Sequence, residues 1–356
     1  MNAPLQLLAS LHELRDSVLT LEPTPNEVMA GLRQPLCEAF RALLWNMRTS
    51  RPPHTSTTLE QSCRAATAIS ADQVYRAVHK LGPHFKTDMR EQQDAEELLS
   101  FLLDKLHLEV AAYLEKHPEL MEEGDLSAGA GNDDAEGGWH EASSKGVGVS
   151  VNTVETHDRQ VETPISSAFT VRMRSTLDMK GQRRSVTIQP YHCLPLDIEP
   201  EHVRSLHDAM RETLRNEPLY ASSQDEVIGH KQLLLETLPP ILLLSLKRFS
   251  YGPYGPIKLQ KHVKFEAELC IDPEFMSPTA RQIHGSDTVY ELAAVLFHHG
   301  SESHQGHYTC CRSTSEGWIE LNDTRVSPIA LTAVCAPRSG ADAYVLCYRK
   351  RTAASA

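Results

Sequence analysis

An α+β fold follows from the way hydrophobic patterns change along these 356 residues. Residues 1 to 117 carry helical periodicity, 118 to 160 are acidic and rich in Gly, Ala and Ser, and 161 to 350 break into short β-branched or alternating runs. Helices first and strands later, without regular alternation, predict segregated layers and a mostly antiparallel sheet. Residues 351 to 356 form a tail.

The helical part opens with Leu5, Leu8, Leu11 and Leu14 at spacing three, Pro4 being tolerated in a first turn. The Pro/Thr/Ser segment from Ser50 to Thr58 reads as a loop. A second amphipathic helix is predicted from Glu91 to Lys116, with Leu98, Leu102, Leu106, Val110 and Tyr113 on one stripe, and His117-Pro118 ends it. The span 118 to 160 lacks the apolar surface to order itself and is expected to be a disordered insertion dividing the fold. Ile165 to Arg174, Ser185 to Pro190 and Cys193 to Ile198 then read as strands, and Leu206 to Asn216 as one helix. Ile241 to Leu246 is a continuous apolar run after Pro239-Pro240, as a strand buried on both faces would be. Val289 to Phe297, a hairpin after Gly306, and Ala343 to Tyr348 complete the sheet. No internal repeat is evident.

Hydrophobic content of 40% and charged content of 23% are ordinary for a globular protein. A net charge of −12 argues against nucleic-acid binding and mildly favours a basic partner surface, although much of the acid lies in one span. No run of about 18 apolar residues occurs, so no transmembrane helix and no membrane partner are expected. The first ten residues lack the basic start of a secretory signal. Eight scattered cysteines then read as reduced thiols in the cytoplasm, or also the nucleus.

The stretch from His298 to Asp323 carries the chemistry. His307-Tyr308-Thr309-Cys310-Cys311 and Trp318-Ile319-Glu320-Leu321 are apolar runs flanking a polar turn. A hairpin centred between Thr314 and Ser315 sets His307 directly opposite Asn322 on one sheet face. An Asn carbonyl there accepts from one imidazole nitrogen, fixes the tautomer and aims the other nitrogen at a nucleophile. Gly306 removes a side chain just before the imidazole, where a substrate backbone could approach. An ordinary hairpin with a surface histidine fits the same spacing, and a one-residue slip would part the two side chains.

Ordered blocks along nearly the whole chain resemble the catalytic domain of the ubiquitin-specific proteases. Gln92-Gln93-Asp94-Ala95-Glu96-Glu97-Leu98-Leu99 is similar to that family's QQDAxEFL box, and Leu238 to Phe249 to its LPxxLxLxLKRF strand. Tyr290 to Val295, His299-Gly300 and Gly306-His307-Tyr308 resemble the box around the catalytic histidine. Trp318 to Asp323 resembles its WxxxND close, and Ala343 to Arg349 its final AYxLxYxR strand. The insertion before Thr163-Pro164-Ile165-Ser166 resembles the subgroup typified by ubiquitin-specific protease ten. The resemblance implies a papain-like cysteine protease fold, with a helical thumb, an antiparallel β palm and β fingers gripping ubiquitin. It makes His307 the general base, Asn322 its orienter and Asp323 a contributor beside them. It also implies that Gln93, Asp94, Gly306 and Tyr308 bind the ubiquitin tail. An Asp at a helix start also caps its own backbone, which is the plainer reading of Asp94 taken alone.

Two departures matter. The family's nucleophile box reads roughly GxxNxGNxCYMNSxLQxL, and Met1-Asn2-Ala3-Pro4-Leu5-Gln6-Leu7-Leu8 resembles only its second half. The resemblance thus sets Met1 two residues after the catalytic cysteine, and the chain as given is expected to be inactive. Cys310 points away from His307, and Cys311 shares its face at roughly 6.8 Å along the strand, so neither is a convincing substitute. The second departure is the lack of paired CxxC motifs at the fingertips, near Arg174 to Asp178 and Ser222 to His230; with them go the ligands for a structural zinc. His298, His299, His304 and His307 cluster without a carboxylate at metal-ligand spacing. No cofactor is expected. Ubiquitin and ubiquitinated proteins are the implied partners, for a deubiquitinase or for a non-catalytic ubiquitin-binding scaffold.

Overall fold

The computed structural model describes residues 2–20, 34–49, 58–82, 93–120, 140–142, 149–153, 161–221, 226–252, 255–302 and 305–351. Helices dominate the first third: α1 (Asn2–Leu8), α2 (His12–Thr20), α3 (Pro35–Thr49), α4 (Leu59–Arg64), α5 (Asp72–Leu81) and α6 (Ala95–Leu114). Leu5, Leu8, Leu11 and Leu14 are all buried, yet they do not share one helix: the chain breaks at Ala9, Ser10 and Leu11, leaving Leu5 and Leu8 on α1 and Leu14 on α2. Helix α6 buries the five residues of its predicted stripe, so its core face follows directly from the apolar spacing. The loop expected at Ser50 to Thr58 lies outside the described residues except for Thr58, which closes a capping box with Gln61 on α4.

Strands follow: β1 (His140–Ala142), β2 (Val149–Thr153), then helix α7 (Pro164–Phe169), β3 (Val171–Met179), β4 (Ser185–Tyr191) and β5 (Leu194–Leu196). Next come helix α8 (Leu206–Thr213), β6 (Asn216–Tyr220), β7 (Val227–Leu235), β8 (Ile241–Leu246), β9 (Phe249–Gly252), β10 (Gly255–Lys258) and β11 (Glu268–Cys270). Helix α9 (Pro278–His284), β12 (Val289–His299), β13 (His307–Thr314), β14 (Gly317–Asn322), β15 (Arg325–Ile329), helix α10 (Leu331–Cys335) and β16 (Ala341–Lys350) complete the order.

Several predicted elements are corrected. The span expected to be wholly disordered contributes β1 and β2, the latter running parallel to β4; the rest of 121–160 lies outside the described residues. The strand predicted from Ile165 begins as helix α7, since Thr163 and Ser166 form a capping box around Pro164 at the first turn. The helix predicted to reach Asn216 stops at Thr213, and Asn216 starts β6.

A six-stranded sheet runs β1-β2-β4-β3-β7-β6 and an eight-stranded one β15-β14-β13-β12-β16-β8-β5, with β11 beside β12. The larger sheet is antiparallel apart from β5 beside β8. It separates two apolar cores. One packs the early helices against Tyr308, Cys310 and Tyr344, and the other packs α8 and α9 against Val295, Cys311 and Leu346. Strand β8, buried at all six positions, feeds both. Within this frame α1 and the N-terminal end of α6 meet the edge of β13, which is where the predicted site lies.

Candidate functional site

His307 opens β13 and Asn322 closes β14. Their hairpin pairs Cys310 with Leu321 and Thr314 with Gly317, around a two-residue turn of Ser315 and Glu316. The turn is held by the Thr314 hydroxyl, which donates to the Gly317 carbonyl at 2.7 Å, and Gly317 supplies a φ of 136°. The predicted centre is therefore off by one residue, and direct opposition of His307 and Asn322 is corrected to a diagonal pairing. A shift of two partners preserves the sheet face, so the side chains still meet: His307 Nε2 lies 2.7 Å from Asn322 Oδ1. An amide oxygen only accepts, so Nε2 carries the hydrogen and Nδ1 is left as the basic nitrogen.

Asp323 Oδ2 stands 4.0 Å from the same Nε2, with both side chains nearly half exposed, at 44% and 49%. An ion pair so solvated contributes little. Directly across β12, His299 pairs with His307, its ring 5.8 Å away, and bonds Thr309 Oγ1 at 2.8 Å. Burial first, then the His307 ring, depress the basicity of His299. His298 faces the opposite side, buried against Phe249 and Tyr308 with Nδ1 unpartnered, and burial followed by Lys258 lowers its pKa to about 4.

Gly306 sits where a Cβ would overlap the His299 carbonyl and the His298 ring. This internal contact by itself requires a bare α-carbon at position 306. Asp94 caps α6 by accepting from Glu96 N at 2.8 Å and Glu97 N at 3.1 Å, while Tyr344 donates to its other oxygen at 2.6 Å. The plain capping reading is therefore what its bonds show. Gln93 is half-buried just before it. Tyr308 is 8% exposed, its ring lying 5.9 Å from Tyr344 and its hydroxyl receiving the Ala95 amide. It thus also supports the α6 terminus from beneath.

Six of the eight cysteines are buried. Burial pushes the Cys311 thiol up to about 11 and Cys347 to about 12, and raises Cys37, Cys310 and Cys193 further against ionisation. Exposed Cys270 pairs with Val289, ten positions along β12 from His299, or roughly 30 Å from the histidine pair. None of these is placed to be activated by His307.

Arg174 to Asp178 form the distal part of β3, opposite β7 and leading to the turn into β4. Among the described residues one grouping has metal-like donors, His207, Asp272 and Glu274, far from the hairpin on α8 and the segment after β11. Its acids are already engaged: Asp272 by His207 at 2.6 Å and Glu274 by Arg211 at 3.2 Å. Sequence reasoning missed Tyr344 and Tyr75, and assigned no role to Asn2 or Gln6; the i, i+4 spacing of two carboxamides on an apolar helix was the available signal.

Residues 1–348 match the family model described as "Ubiquitin carboxyl-terminal hydrolase". The chain is 33% identical over 320 residues to the "Probable ubiquitin carboxyl-terminal hydrolase 3" of Schizosaccharomyces pombe, covering 80% of this chain and 61% of that protein. It is 30% identical over 302 residues to "Ubiquitin carboxyl-terminal hydrolase 10" of Rattus norvegicus, covering 81% of this chain and 38% of the other. It therefore spans less than two thirds of each of these relatives, 61% and 38%. The fold matches the SAGA Ubp8/Sgf11/Sus1/Sgf73 DUB module bound to ubiquitin aldehyde with a TM-score of 0.64 at 18% identity, over 99% of this chain and 67% of that one. The early helices, the palm sheet and the smaller sheet accordingly form the papain-like fold predicted from the sequence blocks. With the family model matched across residues 1–348, the chain belongs to the ubiquitin carboxyl-terminal hydrolase family.

Proposed function

We propose that this domain recognises ubiquitin and serves thiol-dependent hydrolysis of isopeptide bonds at ubiquitin's C-terminal glycine. The observation that carries it is the His307–Asn322 contact of 2.7 Å, which leaves Nδ1 as the proton acceptor. In that reaction Nδ1 takes the proton of a thiol, the sulfur attacks the carbonyl, and the acyl-enzyme is released by water. The resemblance puts that thiol ahead of α1. The burial of Cys37, Cys193, Cys310, Cys311 and Cys347 supports a 356-residue chain that binds ubiquitin without turning it over. Ubiquitinated proteins are the substrates, and six buried thiols suit a reducing compartment, the cytoplasm or nucleus.

A second reading, a non-catalytic ubiquitin-binding scaffold, is favoured by the same burial of those five thiols. One experiment separates them. The chain as given is titrated with ubiquitin and assayed on a ubiquitin-amide reporter, beside a version extended N-terminally by a GNxCY box. Hydrolysis by the extended chain alone, lost by about a thousandfold in His307→Gln, is expected. Binding with silence in both favours the scaffold. Absence of ubiquitin binding at high micromolar concentration overturns both readings, and alkylation-sensitive turnover by the 356-residue chain would place the nucleophile among its own cysteines.

A further inference from the structure

Helix α1 buries Ala3, Pro4, Leu5, Leu7 and Leu8 and keeps its carboxamides, Asn2 and Gln6, one turn apart. Both reach the residue just after Asn322. Asn2 Nδ2 donates to Asp323 Oδ1 at 2.6 Å, and Gln6 Nε2 to the Asp323 carbonyl at 2.9 Å. Asp323 has a φ of 51°, unusual among the described non-glycine residues, so the chain turns sharply at the end of β14. A left-handed L-residue costs energy and persists only where its surroundings fix it. Tyr75 on α5 supplies a third restraint: its hydroxyl donates to Asn2 Oδ1, which leaves the amide nitrogen of Asn2 facing Asp323.

We propose that Tyr75, Asn2 and Gln6 form a clamp that positions Asn322 through Asp323, and so holds the Nε2–H tautomer of His307. In this arrangement Asp323 acts as a mechanical link; the solvated 4.0 Å separation makes it a weak counter-ion. The clamp joins α1, ahead of which the family's cysteine stands, to the hairpin that carries the base. Tyr75, Asn2 and Gln6 are positioning residues, since none of them touches the imidazole.

The inference rests on reading His307 as the base, but its test needs no thiol. In the 356-residue chain labelled with 15N-histidine, ring nitrogen shifts report the His307 tautomer, assigned with His307→Gln, and exchange reports how firmly the Nε2 proton is held. Tyr75→Phe and Asp323→Gly are each expected to speed that exchange about fivefold, the worth of one net hydrogen bond. Glycine adopts the φ of residue 323 freely, so loss in that variant isolates the acceptor from backbone strain. Asp323→Asn keeps the acceptor and tolerates the conformation, and is expected to stay within about twofold of the parent. Unchanged exchange in both Tyr75→Phe and Asp323→Gly would show that the hairpin alone holds His307 and overturn the clamp. Exchange in Asp323→Asn as fast as in the glycine variant would overturn the mechanical role in favour of charge. Hydrolysis by the extended chain is scored separately, so either reading can fail alone.

Discussion

His298 and His307 differ by less than ten positions and by everything in their surroundings. His307 is half-exposed beside an acceptor, whereas His298 is buried among aromatic rings with an orphaned Nδ1. Burial, then Lys258, which donates to the His298 and Gly300 carbonyls at 3.2 and 2.6 Å, keeps that imidazole neutral. A folded-state pKa of about 4 against an ordinary 6.5 means the unfolded chain takes up a proton that the folded one refuses. The stability this lends is present above pH 6.5 and drains as pH falls toward 4, by at most about 1.4 kcal/mol per pH unit. Denaturant midpoints between pH 7 and 4 should fall less steeply in His298→Gln than in the parent; identical slopes would remove His298 as the responsible group. Sequence showed His298 only as one of four clustered histidines lacking a carboxylate at metal-ligand spacing; that it is buried follows from which face of β12 meets the early helices, which composition does not state.

At the scale of elements, what was legible followed from strong periodicity or continuous apolarity. Helix α6 and strand β8 are long or apolar enough that packing agrees with pattern. Helix α7 was misread because Ile165, Ala168 and Phe169 look like strand residues in a six-residue element, and only the Thr163–Ser166 box and Pro164 betray it. Thr163 is 1% exposed; its hydroxyl accepts from Ser166 N at 3.1 Å and lies 2.8 Å from His107 Nδ1. Thr163→Ala should cost about 1–2 kcal/mol of unfolding free energy, read from urea unfolding; a change near zero would mean the box is incidental. The hairpin illustrates the converse: its register was off, yet the histidine–asparagine contact survived because parity, rather than exact opposition, decides which side chains share a face. The clamp on Asp323 was not legible, because it joins residues 321 positions apart.

Across the whole molecule the decisive fact is the position of β16. The last described strand lies between β12 and β8, pairing with both. Arg248, 1% exposed, is tied to it by donating to the Ala343 carbonyl at 2.5 Å. A chain ending at residue 340 should therefore lose the palm altogether, seen as loss of near-UV dichroism and rapid proteolysis after Leu246. Cooperative unfolding at the parent's midpoint would contradict the central role of that strand. The family blocks carry this topology in the sequence only implicitly: AYxLxYxR reads as a strand, but nothing in its composition says it belongs mid-sheet.

A ribosome meets the same fact as a delay. Ile241–Leu246, buried on every side in the finished palm, emerges about a hundred residues before the strand that covers one of its edges. At some 5–20 residues per second that is roughly 5–20 seconds in which this apolar strand has β5 for one edge and nothing yet made for the other. An open apolar edge over that interval is the kind of surface that aggregates or recruits chaperones, so the late arrival of β16 makes synthesis, and not only the finished fold, a point of vulnerability.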